Sequence, residues 1–356
     1  MRAGIVIVGA GLCGLALAER LQRAGADYLL LEGRDRLGGR VLSQASGHGA
    51  FDLGPTWFWP SQGLMANLAN RLGLGVFEQY ADGDLLLEEA DGKVIRAASA
   101  GAMARSLRID GGMAGLTNAL AARLPAERIR LGATVRGLTD LGGGIRIDCD
   151  GGIDAIRADQ VVFALPPRLL AGSIALTPAL PPAGRAALAA VPTWMAGQAK
   201  LVAVYDEPFW RAAGLSGDAV SRKGPLIEIH DASGRDGPAA LFGFVGIAPA
   251  VRRARREQML DMARRQLGRI FGDAALHPRE LIFKDWAFDP LTATPDDLTF
   301  LGQHPAGEGD MALNSVWGGR ILVSGTETAR EHPGFLEGAL EAAEETAHSL
   351  LKTARS

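Results

Sequence analysis

The sequence predicts an α/β fold in which a Rossmann-type sheet domain is joined to a smaller mixed α+β domain. Three observations predict it. The chain has 356 residues, enough for two domains. Near its start, an apolar β-branched run leads through a glycine-rich turn into a helix and then a second strand. Near its end, another apolar strand turns into a helix with one apolar face.

The first element is Ile5-Val6-Ile7-Val8, the kind of run a strand carries when both of its faces are buried. Gly9-Ala10-Gly11-Leu12-Cys13-Gly14 follows, then a helix through Leu15–Ala24 stopped by Gly25, then the strand Tyr28–Glu32. This is a βαβ unit with G-x-G-x-x-G at its strand-to-helix turn. Gly9 makes the tight turn, Gly11 lets backbone approach a pyrophosphate, and Gly14 lets helix and strand pack closely. The helix N-terminus offers free N–H groups and partial positive charge to phosphates. Glu32 can accept hydrogen bonds from ribose hydroxyls, and its charge disfavours a 2′-phosphate, so NADP is not expected. Arg36-Leu37-Gly38-Gly39-Arg40 adds exposed backbone N–H groups and positive charge, which suits an extended FAD better than a nicotinamide nucleotide.

Composition narrows the function classes. Lys and Arg number 37 against 40 Asp and Glu, for a net charge of −3, which speaks against a dedicated nucleic-acid binder. The two cysteines, Cys13 and Cys149, are far apart and form no CxxC pair, so neither a disulfide scaffold nor a zinc site is expected. The apolar stretch Gly4–Ala18 lacks the basic start and cleavage site of a signal peptide, and no window suggests a membrane span. The expectation is a soluble cytoplasmic protein.

At this point the chain resembles the flavin-containing amine oxidase family, which includes monoamine and polyamine oxidases. The resemblance covers most of the chain and rests on six ordered blocks. They are the βαβ unit with Gly38-Gly39; Phe51-Asp52-Leu53-Gly54-Pro55-Thr56-Trp57; and Gly111–Leu116 with Gly132-Ala133-Thr134-Val135. Val161–Pro167, Gln198–Leu201 with Tyr205–Trp210, and Gly325–Ala329 with Pro333–Ala339 complete the set. The resemblance implies a glutathione-reductase-like FAD domain of the amine oxidase type. It also implies the site. Gly9, Gly11, Leu12, Gly14, Glu32, Arg34, Gly38, Gly39 and Arg40 would hold the nucleotide, with Val135 at the adenine. Pro55, Thr56, Trp57 and Trp286 would surround the flavin, with Trp59 a further candidate. Gly325, Glu327, Gly334, Phe335 and Leu336 would meet the diphosphate, ribityl and pyrimidine parts.

Lys200 lies in an apolar strand, where a lysine is costly unless it is paired or reaches water. In the family the matching lysine holds a water at flavin N5 and aids reoxidation by dioxygen. Lys200 and Phe335 are therefore the catalytic candidates. Two departures stand out. The family's second substrate-facing aromatic would fall near Pro295-Asp296, where there is none, so the aromatic cage is half present. No cysteine occurs in that segment either, so FAD is expected to be noncovalent. The chain is also short: 81–107 replaces a long helical insert, so either the cavity is more open or a second subunit, as in a homo-oligomer, covers it. His332 is a candidate for the active-site wall, and Arg252–Arg256 reads as a solvated helix face.

The expected division is an FAD-binding domain of 1–80, 108–166 and 290–356 with a substrate domain of 81–107 and 167–289. The expected reaction is hydride transfer from an amine α-carbon to FAD, imine hydrolysis, and reoxidation by O2 with release of H2O2. Two alternatives stay open: a desaturase or dehydrogenase acting on C–C bonds, and a flavin-holding partner subunit without turnover.

Overall fold

The computed structural model describes residues 1–47, 49–98, 103, 105–235, 237–298, 304–305 and 317–353. Two large sheets organise the described residues. The first has eight strands, with Arg2–Val8 between Tyr28–Leu31 and Ile156–Phe163. Both neighbours run parallel to it, Val8 standing opposite Leu31 on one side and Phe163 on the other. Ile321–Val323 joins parallel at Val161–Phe163. The stretches Ile5–Val8, Tyr28–Leu31, Val161–Phe163 and Ile321–Val323 are apolar because both faces of the sheet are covered there. On one face the helices Leu12–Arg23, Ala114–Ala121 and Leu336–Thr353 bring Leu15, Leu17, Leu116, Leu120, Leu340 and Ala343 into one core. On the other, Val6, Leu29, Leu138 and Val161 meet Leu170 and Leu188 from the segment after 166. That segment also supplies Ala175–Thr177, which pairs with Val135–Asp140. The carboxyl ends of Val8, Phe163 and Val323 therefore lie side by side, where open α/β sheets bind ligands.

The second sheet has seven strands, ordered Glu280–Asp285, Ala199–Tyr205, Ala239–Val245, Leu226–Asp231, Leu215–Ser221, Asp84–Glu88 and Val94–Ala98. Its side chains alternate between faces. Leu201, Ala203 and Tyr205 pack with Met259, Ala263, Leu267 and Ile270 of the helix Arg256–Phe271. Val202 and Val204 face the other way, onto Phe242 and onto Phe51 and Leu53 from the hairpin Ser43–Ser46/Gly49–Asp52. Lys200 shares the parity of Val202, so the pleat directs it to the hairpin side.

The strand expected around Lys200 is present, as Ala199–Tyr205. Leu215–Ser221 was not legible, because its LSGDAVS sequence has neither an apolar run nor clean alternation. The reading of Arg252–Arg256 as a solvated face needs correction at its first residue. Arg252 is buried, its Nε and Nη2 donating to the two carboxylate oxygens of Asp285 at 2.7 Å each and Nη2 also to the Gly197 carbonyl at 2.6 Å. No described helix is long and apolar enough to cross a membrane.

Candidate active site

A cavity of about 650 Å³ runs from the glycine turn after Val8 to Lys200 and Phe335. Of the residues the sequence placed in the site, every one but Gly14 and His332 lines it. Gly14 acts one layer back: a Cβ there would lie 1.9 Å from the Gly9 carbonyl oxygen, so a side chain would pry the helix off the strand. Gly9 has φ +106°, and its Cβ would lie 2.5 Å from the Ala164 carbonyl oxygen. Gly11 caps the helix without a side-chain hydrogen bond, and no acid sits in the first turn. The helix N-terminus thus presents unpaired N–H groups to the cavity, an anion site ready for phosphate.

Two carboxylates stand beside this turn. Glu32 accepts hydrogen bonds from the backbone N–H groups of Ala10 and Arg34, each at 2.9 Å. Arg34 in turn donates to Asp289 Oδ1 at 2.6 Å and Thr292 Oγ1 at 2.8 Å, tying strand end to the 289–292 loop. Burial opposes the ionisation of Asp289, but Lys284 and Arg34 outweigh it and hold the carboxyl below its usual range. Glu327 is paired bidentately with Arg40, at 2.5 and 2.9 Å. Arg40 cancels a charge that would otherwise repel a diphosphate.

The far end is chemically different. Lys200 is 3% exposed, yet its ammonium donates to the Thr56 hydroxyl at 2.5 Å and the Gly54 carbonyl at 3.3 Å, both neutral. It lies 3.8 Å from the centre of the Phe242 ring. Burial lowers its pKa to about 7; Asp52 pulls upward against this and Arg108 adds to it. Asp52 is itself buried and pushed up by desolvation, while Ser43 and the Met113 N–H donate to it. Trp286 is fixed by its indole N–H to the Leu53 carbonyl at 2.8 Å.

Aromatic rings wall the remainder. Trp59, Trp194 and Phe335 line it: Trp59 meets Phe335 edge-on at 6.2 Å, and His304, outside the lining, lies 5.3 Å from Phe335 and 4.3 Å from Trp194. His332 is not part of this wall. It binds Glu341 of the last helix and does not line the cavity, and His304 takes the place beside Phe335. Sequence reading missed Trp194, Met195 and Phe244, which also line the cavity. A tryptophan in a loop just before the Lys200 strand was the available signal for the first. The three residues have no spacing in common, and only tertiary packing collects them.

The donor set fits FAD: an open helix N-terminus, glycines that a Cβ would choke, a carboxylate at the second strand's end, and an apolar end holding one ammonium. Cys13 is the only cysteine among the described lining residues. Its thiol is buried and pushed up to about 12, which suits a group that forms no flavin link.

Comparison with known proteins agrees. A family model described as flavin containing amine oxidoreductase matches residues 77–351, and one for an NAD(P)-binding Rossmann-like domain matches 7–72. A probable flavin-containing monoamine oxidase A of Dictyostelium discoideum is 27% identical, covering 95% of each chain. The flavin-containing amine oxidase B of Sus scrofa is 23% identical over 98% of this chain and 86% of its own. Among solved structures, a redesigned putrescine oxidase superposes with TM-score 0.82 at 22% identity, covering 100% of this chain and 99% of its own. Cyclohexylamine oxidase from Brevibacterium oxydans gives 0.82 at 20% identity, covering 99% and 100%. The chain belongs to the flavin-containing amine oxidoreductases, FAD-dependent enzymes that oxidise amines.

Proposed function

We propose that this enzyme is an oxidase of apolar monoamines that uses dioxygen as electron acceptor and works in the cytoplasm. The carrying observation is that one cavity joins the phosphate-ready turn at Gly11 to the buried Lys200 ammonium. FAD, when bound, would supply the redox chemistry: acceptance of a hydride equivalent from the amine α-carbon, leaving an imine, and reduction of dioxygen to H2O2.

The chain's own residues then have definable tasks. Gly9, Gly11, Leu12, Gly38, Gly39 and the helix start bind the diphosphate, and Glu32 and Val135 the adenosine. Arg34 braces Glu32, and Arg40 keeps Glu327 neutralised. Pro55, Thr56, Trp57, Trp286, Gly325, Gly334 and Leu336 frame the ring system. Phe335, with Trp59 and Trp194, guides the amine and keeps water out. Lys200 holds a positive charge, or a proton to give, where oxygen is reduced. The sheet around Lys200, drawn from 81–107 and 167–289, forms the substrate-facing unit, while 1–80, 108–166 and 290–356 hold FAD. Residues 167–190 pack against the FAD sheet.

The choice of a monoamine rests on charge. Among the described lining residues the acids are Glu32 and Glu327, and both are engaged by arginine. Among the described lining residues, a second ammonium on the substrate would find aromatic rings and Lys200, not a free carboxylate. The free thiols Cys13 and Cys149 suit a reducing compartment.

Anaerobic mixing of the holoprotein with benzylamine, cyclohexylamine and putrescine tests this reading. Bleaching by the first two, with colour and H2O2 returning in air, is the expected result. Bleaching by putrescine alone, or by no amine, would contradict it.

A further inference from the structure

The sheet face that carries Lys200 also carries a charge cluster, buried at His230 and Asp218 and reaching the surface at Glu228, to which the chemistry above gives no task. His230 lies in the strand Leu226–Asp231 and is 4% exposed. Its Nδ1 is 2.8 Å from Asp218 Oδ1 and its Nε2 is 2.7 Å from Glu228 Oε1. A neutral imidazole has one N–H; two carboxylate partners at hydrogen-bond distance call for both, and hence for an imidazolium. A buried ionic group of this kind gives little net stability over an apolar side chain of the same volume. It does fix orientation, because its hydrogen bonds leave the ring one placement.

That placement matters for two rings. His230 meets Trp57 edge-on, at 5.1 Å and 82°, and Phe242 at 5.4 Å. Trp57 and Phe242 also touch each other at 5.2 Å. Trp57 lines the cavity, and Phe242, the direct cross-strand neighbour of His230, is the ring beneath the Lys200 ammonium. The same strand holds Trp57 a second time: the indole N–H donates to Gln79 Oε1 at 2.8 Å, and Gln79 Nε2 donates to the Asp231 carbonyl at 2.8 Å. His230, Asp218 and Glu228 do not themselves line the cavity.

We infer that His230, locked between Asp218 and Glu228, is a positioning residue that sets Trp57 and Phe242 and through them the Lys200 ammonium. The inference rests on the reading of Lys200 as the group that aids reoxidation, and the test separates the two.

The holoprotein is prepared as wild type, His230→Phe, Lys200→Met and the double variant. FAD content, the visible flavin spectrum and the reoxidation rate in air are measured on each. Phenylalanine keeps a ring and removes both hydrogen bonds. The expected result for His230→Phe is full FAD content, an altered flavin spectrum and roughly fivefold slower reoxidation. In the Lys200→Met background the same change should slow reoxidation less than about twofold, because the two act through one contact. Equal slowing in both backgrounds, or a wild-type spectrum and rate in His230→Phe, would overturn the inference. If Lys200→Met reoxidises normally, the reading of Lys200 fails. The spectrum of His230→Phe then decides the placement of Trp57: altered supports the inference, unchanged overturns it. Should His230→Phe not fold, Asp218→Asn and Glu228→Gln are measured in the same way. An altered flavin spectrum in either supports the inference, and a wild-type spectrum and rate in both overturn it.

Discussion

The two ends of the cavity are built on opposite principles. At the glycine turn every charge has a partner: Glu32 takes two backbone N–H groups, Arg34 reaches Asp289, and Glu327 is paired with Arg40. At the Lys200 end the ammonium has only neutral acceptors and an aromatic face. The first end is a polar cradle that leaves free N–H groups for an anion. The second is an apolar chamber in which one cation is kept at a cost.

The contrast should show first as a difference in what a single methyl or guanidinium does. Gly14→Ala forces a Cβ against the Gly9 carbonyl and should remove FAD binding altogether, with a loss of about 1–3 kcal/mol or more in stability. A yellow, fully loaded Gly14→Ala protein would break the polar-cradle description. Arg40→Ala comes next. It leaves the buried Glu327 carboxylate unpaired, and a loss of about 3–5 kcal/mol by denaturant unfolding, together with weakened FAD retention, is expected.

Lys200→Met sharpens the other side. Methionine fills the same space without charge, so FAD binding and reduction by amine should persist while reoxidation slows. Its pH signature has a definite sign. With a folded pKa lowered to about 7 against the ordinary 10.5, Lys200 binds fewer protons in the native state than in the unfolded state between those values. Its contribution therefore makes stability rise with pH across that window, after a constant penalty below it. Lys200→Met should remove that rise. The smallest effect belongs to Cys13→Ala, which should leave FAD content unchanged and its release on denaturation complete.

The same contrast explains what could be read from the chain. The glycine turn was legible because its parts are contiguous: strand, Gly9-Ala10-Gly11, helix and Glu32 all lie within one βαβ unit. The Lys200 end was legible only in part. The apolar run around Lys200 gave its strand. The aromatic wall was not legible as a unit, since Trp59, Trp194 and Phe335 come from three separate segments and meet only in the fold. His332 was misplaced for a related reason. It is three residues from Phe335 in sequence, but its ring turns to Glu341, one helical turn and more along the last helix. Arg252 looked like surface because its neighbours Arg253, Arg255 and Arg256 are exposed, and only the tertiary position of Asp285 draws it inside.

Flavin content before and after denaturation tests the central claim most directly. The purified protein should be yellow and carry one FAD per chain, and acid or heat should release all of it into the supernatant. A colourless protein that takes up no added FAD, or colour that stays with the precipitated chain, would contradict it.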